Sequence, residues 1–275
     1  MIAVLGTGLL GSNFTRALIK KGEQVQVWNR TAARAKALEA DGAKAFDQIA
    51  DAVAGAARVH IVVSDDAAVE SLLAHVPAGM LVIDHSTTST EGAKARSART
   101  DLTYVHAPVF MGPQNALEST GLMLISGDRA RLERVKPFLA TMTGKLIELG
   151  DRVDAAAAFK LMGNTFLMGF TAAIGDLIGL GKALGVAPSE AIGLFDHFNP
   201  GAMTAVRAKR MASGDYAKPS WELAMARKDA RLVQEEVERA HVALVLVPAI
   251  AAKMDEMIGR GHSQDDWTVI AKDFV

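Results

Sequence analysis

The 275-residue sequence has no cysteine, few aromatic residues and no excess of either charge. The absence of cysteine excludes disulfide bonds, zinc–thiolate sites and a cysteine nucleophile. Aromatic residues make up only 5% of the chain, so a flat aromatic platform for sugars or bases is not expected. The 30 Lys and Arg residues nearly balance the 31 Asp and Glu residues, which gives no support to nucleic acid as the main partner.

Long uncharged apolar segments are missing as well. Two long uncharged stretches, Met1–Thr15 and Leu161–Gly175, are shorter than the ~20 apolar residues that a membrane-spanning helix needs. The first stretch has no basic leader ahead of an apolar core, so it does not resemble a signal peptide. We therefore expect a cytoplasmic protein without a membrane partner.

Clustered metal ligands are also lacking. The histidines are scattered along the chain, and no H-x-x-x-H or H-E-x-x-H pair is present, so we predict no metal site. Asp65 and Asp66 are expected to cap the following helix and not to bind a metal.

Short apolar runs alternate with amphipathic segments in the first half of the chain. Strands that alternate with helices are typical of βαβ units and of a mostly parallel sheet that is buried on both faces. From about Asp154 the strand pattern gives way to Ala-, Leu- and Met-rich segments at helical spacing. We predict an α/β domain over residues 1–153 and an all-α substrate and dimerisation domain over residues 154–275, beginning with a long interdomain helix. The predicted strands are Met1–Leu5, Gln24–Trp28, Val59–Val63, Met80–Ile83, Tyr104–Val109 and Leu122–Ser126.

A glycine-rich motif follows the first predicted strand and opens a helix. It reads Gly6-Thr7-Gly8-Leu9-Leu10-Gly11 and matches G-x-G-x-x-G. The first glycine permits a tight turn, the second lets the backbone approach a pyrophosphate, and the third permits close packing of helix on strand. The start of the helix favours phosphates, because its free amides can donate hydrogen bonds and the positive end of the helix dipole lies there. The motif predicts a Rossmann dinucleotide-binding domain.

The end of the second predicted strand indicates which dinucleotide is bound. An acidic residue at this point would bind the ribose 2′-hydroxyl of NAD, but the chain has Asn29-Arg30-Thr31. Asn29 does not repel a 2′-phosphate, Arg30 can pair with it, and Thr31 can add a hydroxyl donor. We predict NADP as the preferred cofactor, with NAD as the alternative if Arg30 is an ordinary surface charge.

Lys160 and Asn164 lie early in the long predicted helix, four residues apart, and therefore share one face. A lysine among apolar residues is often a surface residue whose charged end reaches water. In an apolar cleft, partial burial instead tunes a lysine as a proton donor or acceptor.

Together these segments resemble the β-hydroxyacid dehydrogenases, which include 3-hydroxyisobutyrate dehydrogenases and the glyoxylate and succinic semialdehyde reductases. The resemblance rests on four segments in the right order and covers almost the whole chain. They are the cofactor motif from Gly6 to Thr31, Ala107-Pro108-Val109 at the start of the substrate loop, Lys160 with Asn164, and Lys228-Asp229. It implies a C-terminal domain like that of 6-phosphogluconate dehydrogenase.

The resemblance also implies a role for individual residues. Lys160 is the general acid or base, and Asn164 binds substrate or orients Lys160. Val63, Ser64 and Thr87 border the cofactor, and Lys228 reaches its side of the cleft with support from Asp229. Hydride transfer belongs to the nicotinamide, and the protein supplies orientation and one proton. The residues implied to bind substrate are Pro108, Val109, Phe110, Met111, Asn164 and Asp229.

Three residues depart from the family pattern. Phe110 and Met111 stand where the family loop has a serine and a glycine that hold a substrate carboxylate, and Gly163 replaces the first of two asparagines. The expected pocket is less polar, which favours a bulkier or less polar carbonyl compound.

Two alternatives to a hydroxy acid or carbonyl oxidoreductase stay open. One is an NADPH-dependent imine reductase-like enzyme, although related imine reductases usually lack the lysine. The other is a protein that binds NADP without turnover. The apolar helix from Asp154 has more nonpolar surface than one small domain covers, so a small-molecule substrate and a second copy of the chain are the expected partners.

Overall fold

The computed structural model describes residues 1–275. The chain divides into two compact units, Met1–Asn164 and Thr165–Val275. The sequence analysis placed the boundary between residues 153 and 154, at the start of the long helix Ala155–Ala183. The first unit also includes the first turns of that helix.

The first unit is built on a six-stranded parallel sheet. The strand order β3-β2-β1-β4-β5-β6 is that of the Rossmann fold, which confirms the predicted fold class. Strands β1, β4 and β5 are buried along their whole length, as expected for strands covered on both faces. The strands are β1 (Ile2–Leu5), β2 (Val25–Trp28), β3 (Lys44–Ala45), β4 (Val59–Ile61), β5 (Leu81–Asp84) and β6 (Thr103–His106).

A second sheet of three strands also belongs to the first unit. It contains β7 (Val109–Phe110), β8 (Leu122–Ile125) and β9 (Lys145–Glu148). The prediction of one strand over Tyr104–Val109 is wrong, because the chain changes sheets at Ala107 and Pro108. The amide of Ala107 still donates to the backbone carbonyl of Asp84 at 2.7 Å. The carbonyl of Pro108, in contrast, accepts from the amide of Leu124 in the second sheet at 2.9 Å.

Helices flank the sheets of the first unit and form almost all of the second. Residues Trp267–Phe274 form a 3₁₀ helix. The α-helices up to the unit boundary are α1 (Leu9–Lys20), α2 (Ala32–Lys36), α3 (Ile49–Val53), α4 (Asp66–Leu73), α5 (Thr90–Ser97), α6 (Pro113–Glu118) and α7 (Arg129–Leu139). They are followed by α8 (Ala155–Ala183), α9 (Pro188–Ile192), α10 (Thr204–Ser213), α11 (Leu223–Arg239) and α12 (Val247–Gly259).

A buried carboxylate joins two helices of the second unit. Asp176 of α8 accepts backbone hydrogen bonds from Val245, Leu246 and Val247 at 2.6, 2.8 and 3.0 Å. These amides lie at the start of α12, where helical N–H groups have no partner within the helix. The carboxylate satisfies them, so the charge in the middle of the apolar helix α8 has a structural use.

Helix α8 is long and apolar enough to cross a membrane when length and composition alone are considered. It has 29 residues, and its most apolar 18-residue window has a mean hydropathy of 1.3. The sequence analysis predicted this helix but counted only uncharged stretches, and therefore did not find a segment long enough to span a membrane. Just 6% of the window is buried within the chain, which leaves a broad apolar surface.

Candidate active site

A cleft of about 540 Å³ lies in the first unit, where β1, β2, β4 and β5 end. Ligands of open α/β sheets bind at the carboxyl ends of the strands, where the strand order reverses. No acidic residue lines the cleft, whereas Arg30, Arg34 and Lys160 do. The predicted site residues along its wall are Gly6, Gly8, Leu9, Leu10, Gly11, Asn29, Arg30, Thr31, Val63, Ser64, Thr87, Val109, Met111 and Lys160.

The glycine motif leaves space for a phosphate group. Gly6 has a φ of +99°, and a Cβ atom there would lie 2.2 Å from the carbonyl oxygen of Val62. A Cβ atom on Gly11 would lie 1.9 Å from the carbonyl oxygen of Gly6, whereas Gly8 faces open space. No side chain caps the start of α1, so its first amides are available to an anion. The cradle therefore fits a dinucleotide pyrophosphate.

Asn29 ties the glycine motif to the end of β2. Its Oδ1 accepts from the amide of Thr7 at 2.9 Å, and its Nδ2 donates to the carbonyl of Thr31 at 3.1 Å. Thr7 is buried and does not line the cleft. Because both ends of the Asn29 amide are engaged, an incoming ribose phosphate meets Arg30 and Thr31 more readily than Asn29.

Arg34 is a second guanidinium at this end of the cleft, and the sequence analysis missed it. It lies four residues after Arg30 and lines the same wall. Both side chains are exposed and neither forms an ion pair within the chain. Their spacing across the start of α2 is the signal that could have identified the pair.

A buried polar network holds the loop after β5. Ser86 Oγ accepts from the amide of Val63 at 3.0 Å, and the Ser86 amide donates to Asp84 Oδ1 at 2.8 Å. The other carboxylate oxygen of Asp84 accepts from the Tyr104 hydroxyl at 2.6 Å, and Arg96 Nε donates to the same hydroxyl at 2.9 Å. Thr87, which lines the cleft, is thus carried by a fixed loop.

Helix α4 begins beside this loop. Asp65 accepts from the amide of Ala68 at 2.9 Å, which confirms the predicted cap. This hydrogen bond lowers the pKa of the Asp65 carboxyl. Ser64, next to it, donates to the same carboxylate at 2.8 Å.

A chain of hydrogen bonds through two buried histidines ends at Ala107, between β6 and β7. His85 Nδ1 donates to the carbonyl of Ala107 at 2.8 Å, so its Nε2 accepts from His60 Nδ1 at 2.9 Å. Arg58 Nε donates to His60 Nε2 at 3.1 Å. This order of donors requires both rings to be neutral. The sequence analysis treated these histidines as scattered, because they are distant in sequence and meet only through the pairing of β4 with β5.

Burial explains why the histidines stay neutral. It lowers the pKa of His85 to about 4. It also lowers the pKa of His60 well below the usual value, with further contributions from His85 and Arg58. A charged ring at either position would lose its hydration and face another donor.

Lys160 brings a buried ammonium group to the cleft. The residue is 9% exposed, and its Nζ donates to Asn164 Oδ1 at 2.9 Å. The predicted shared face of these two residues is confirmed. Nζ also lies 4.1 Å from the centroid of the Phe110 ring. Burial lowers the pKa of Lys160, and no carboxylate is paired with the ammonium.

The remaining predicted residues occupy other positions. Pro108 is buried behind the loop, and Asn164 and Phe110 contact Lys160 without lining the cleft. Lys228 and Asp229 lie on α11 of the second unit, where their side chains pair with each other at 2.7 Å. The cleft residues that the sequence analysis missed are Trp28, Arg34, Val62, Ala68, Ser71, Leu72, His85 and Ser86.

Comparison with protein families gives an independent reading of the first unit. Residues 1–150 match the family model described as the NAD binding domain of 6-phosphogluconate dehydrogenase. The match contains the glycine motif, Arg30 and the loops that border the cleft.

Similar proteins extend over nearly the whole chain. An uncharacterized oxidoreductase of Synechocystis is 29% identical, with 98% of this chain and 96% of the relative aligned. The 2-(hydroxymethyl)glutarate dehydrogenase of Eubacterium barkeri is 24% identical over 98% of this chain and 93% of its own length. Human cytokine-like nuclear factor N-PAC is 28% identical over 84% of this chain, which spans 43% of that longer protein.

Solved structures share the fold. A reductive aminase from Aspergillus terreus, in complex with NADPH and ethyl levulinate, aligns with a TM-score of 0.91 over 100% of this chain and 99% of its own, at 22% identity. An imine reductase from Myxococcus stipitatus in complex with NAD⁺ aligns with a TM-score of 0.90 over the same shares at 19% identity. At these identities the likeness shows the fold.

The neutral histidines predict a dependence of stability on pH. The pKa of His85 is lower in the folded chain than in the unfolded chain, so the unfolded chain binds more protons between about pH 6.5 and 4. The stabilisation is complete above about pH 6.5 and is lost as pH falls toward 4. In the variant His85→Asn, which keeps a donor for Ala107 but does not titrate, the slope of unfolding free energy against pH should fall by up to about 1.4 kcal/mol per pH unit.

Chemical denaturation at several pH values between 4 and 7 measures this slope. The variant His75→Asn, at an exposed histidine, is the matched control and should keep the slope of the unsubstituted protein. Equal slopes in all three proteins would contradict the assignment.

Proposed function

Because the chain belongs to the family defined by the NAD-binding domain of 6-phosphogluconate dehydrogenase and is an NAD(P)-dependent oxidoreductase, we propose that it reduces a small carbonyl compound with NADPH, or oxidises the corresponding alcohol, and that Lys160 moves the proton. The oxidoreductase relatives also confirm the resemblance to the β-hydroxyacid dehydrogenases.

The observation that carries this proposal is the buried ammonium of Lys160 at the cleft. Burial lowers its pKa, which favours loss of a proton to an acceptor. In reduction Nζ donates a proton to the carbonyl oxygen, and in oxidation the neutral amine accepts the hydroxyl proton. Asn164 positions Nζ through the bond at 2.9 Å.

The cofactor would be held by the residues that border the cleft. The glycine motif would bind its pyrophosphate, and Val63, Ser64 and Thr87 would border its nicotinamide end. The bound nicotinamide supplies or accepts the hydride. We include Lys228 and Asp229 in the site on the strength of the family resemblance.

Two exposed arginines support a preference for NADP. Arg30 and Arg34 line the end of the cleft that follows β2, without a carboxylate partner. Guanidinium groups pair well with phosphate, and no acidic side chain at this end is available for a ribose 2′-hydroxyl.

A second candidate activity is reduction of a C=N bond. The apolar side chains of Phe110 and Met111 favour it, and imine reductases share the fold. Lys160 favours a carbonyl substrate, because a carbonyl oxygen needs a proton as the hydride arrives. A cyclic imine assayed beside short aldehydes separates the two activities.

Besides the small-molecule substrate, the expected partner is another copy of the chain. The expected location is the cytoplasm. Helix α8 exposes Met162, Phe166, Leu167, Met168 and Phe170 by 50% or more of their surface. Monomers rarely expose so large a continuous apolar face, which favours a homodimer built around α8.

Replacement of Lys160 tests the proton transfer. The variant Lys160→Met keeps the apolar stem and removes the charge, so kcat should fall by about 10²- to 10⁴-fold. The Kd for NADPH, measured by fluorescence titration, should stay within about threefold. In the unsubstituted enzyme, the rate of reduction should fall as pH rises through the lowered pKa of Lys160, and the rate of oxidation should rise over the same range.

Lys182→Met, at an exposed lysine near the end of the same helix, is the control and should leave both constants unchanged. An unchanged kcat in Lys160→Met would remove this residue from the reaction.

Replacement of Arg30 tests the preference for NADP. Hydrogen bonds to charged groups contribute about 1.5 to 3 kcal/mol, so Arg30→Ala should lower kcat/KM for NADPH by roughly 10- to 100-fold and change the value for NADH little. Lys36→Ala removes a nearby exposed charge that pairs with Asp47 and should preserve the ratio. Equal losses with NADPH and NADH would count against a role for Arg30 in selecting the cofactor.

Light scattering tests the homodimer. The protein should have twice the mass of one chain at micromolar concentration, and Phe166→Asp should shift it toward the monomer because a charge would be buried in the interface. Val275→Asp, at an exposed apolar residue of the C-terminus, should remain dimeric. A monomeric unsubstituted protein would refute the dimer.

A further inference from the structure

We propose that Phe110 and Gly163 act as one unit that restricts the substrate to uncharged aldehydes and ketones. Aldehydes and ketones that also carry a carboxylate group are excluded. This inference rests on the proposed function, since it concerns the compound that Lys160 would protonate. It assigns the selection of the substrate class to these two residues, which are neighbours in the structure.

Phe110 and Gly163 fit together so closely that a side chain at position 163 would require the ring of Phe110 to move. A Cβ atom on Gly163 would lie 2.3 Å from Cζ and 2.7 Å from Cε1 of the Phe110 ring. Glycine is unfavourable inside a helix, so its presence in α8 needs a reason. The aromatic ring supplies the reason, because it occupies the volume that a side chain at 163 would fill.

The ring also limits what the ammonium group of Lys160 can bind. An ammonium has three N–H donors. One is directed to Asn164 Oδ1 at 2.9 Å, and the face of Phe110 lies 4.1 Å from Nζ. Because the ring covers one side of the ammonium, the side that remains open is sufficient for a carbonyl oxygen and insufficient to hold a carboxylate as well.

Within the first unit, the cleft walls near Lys160 offer a carboxylate no other cation. Val109 and Met111 are apolar, and the two remaining cations of the cleft, Arg30 and Arg34, follow β2 and face the predicted ribose site. A carboxylate paired with Lys160 would raise the pKa of the ammonium and so oppose the proton transfer. An uncharged substituent has no such effect on the ammonium.

Matched pairs of aldehydes test the substrate class. The probes are butanal with succinic semialdehyde and benzaldehyde with 4-carboxybenzaldehyde, each reduced with NADPH. The unsubstituted enzyme should show a kcat/KM at least about tenfold higher for the neutral member of each pair. Phe110→Ser, which frees a donor of Lys160 and opens polar space, should shift that ratio toward the carboxylate by about tenfold or more.

Phe46→Ser is the matched control. The ring of Phe46 also lies close to a lysine, 4.9 Å from Nζ of Lys44, but Lys44 does not line the cleft, whereas Lys160 does. This variant should leave the ratio unchanged. A preference of the unsubstituted enzyme for the carboxylates, or an unchanged ratio in Phe110→Ser, would overturn the inference and leave the proposed function standing. No turnover of any probe would overturn both.

Thermal unfolding tests the same pair without any turnover. Gly163→Ala should lower Tm in the unsubstituted background, because the new methyl group meets the ring of Phe110. In the Phe110→Ser background the same change should raise Tm, because the clash is gone and alanine favours the helix. Effects of the same sign in both backgrounds would contradict the coupling on which the inference depends.

Discussion

The proposed chemistry depends on one ammonium group that is buried without a carboxylate partner. A buried charge is costly unless it is hydrogen-bonded or paired. Around Lys160 the only compensation from the chain that the structure shows is the amide oxygen of Asn164 and the face of the Phe110 ring. Because this compensation is only partial, burial lowers the pKa of Lys160, and the ammonium can still donate to a substrate.

The surrounding structure fixes the groups that this ammonium must meet. The carboxylate of Asp84 and the ring of His85 hold the loops after β5 and β6 through buried hydrogen bonds. Asn29 connects the glycine motif to the end of β2. The bonds of His85 with Ala107 and of Asn29 with Thr7 join segments 22 residues apart in sequence, so the Rossmann sheet provides a rigid frame, which catalytic geometry requires.

The sequence predicted those features that depend on local pattern. The glycine motif, the parallel strands and the shared face of Lys160 and Asn164 follow from spacing alone, and they were confirmed. The short strands β3 and β9 lack a recognisable apolar run, and both were missed. The break at Pro108 was missed because the apolar pattern continues through it, although proline cannot donate to a strand. His60 meets His85 only through the pairing of β4 with β5, and Phe110 meets Gly163 only where β7 packs on α8. No pattern in the local sequence therefore indicates either pair.

The most direct test of the central claim is a crystal structure of the protein with NADP⁺ and an uncharged alcohol. The account predicts that Lys160 Nζ lies at hydrogen-bond distance, about 3 Å, from the alcohol oxygen and keeps its contacts with Asn164 and Phe110. A structure in which Nζ points to solvent, or in which another side chain contacts that oxygen, would contradict it.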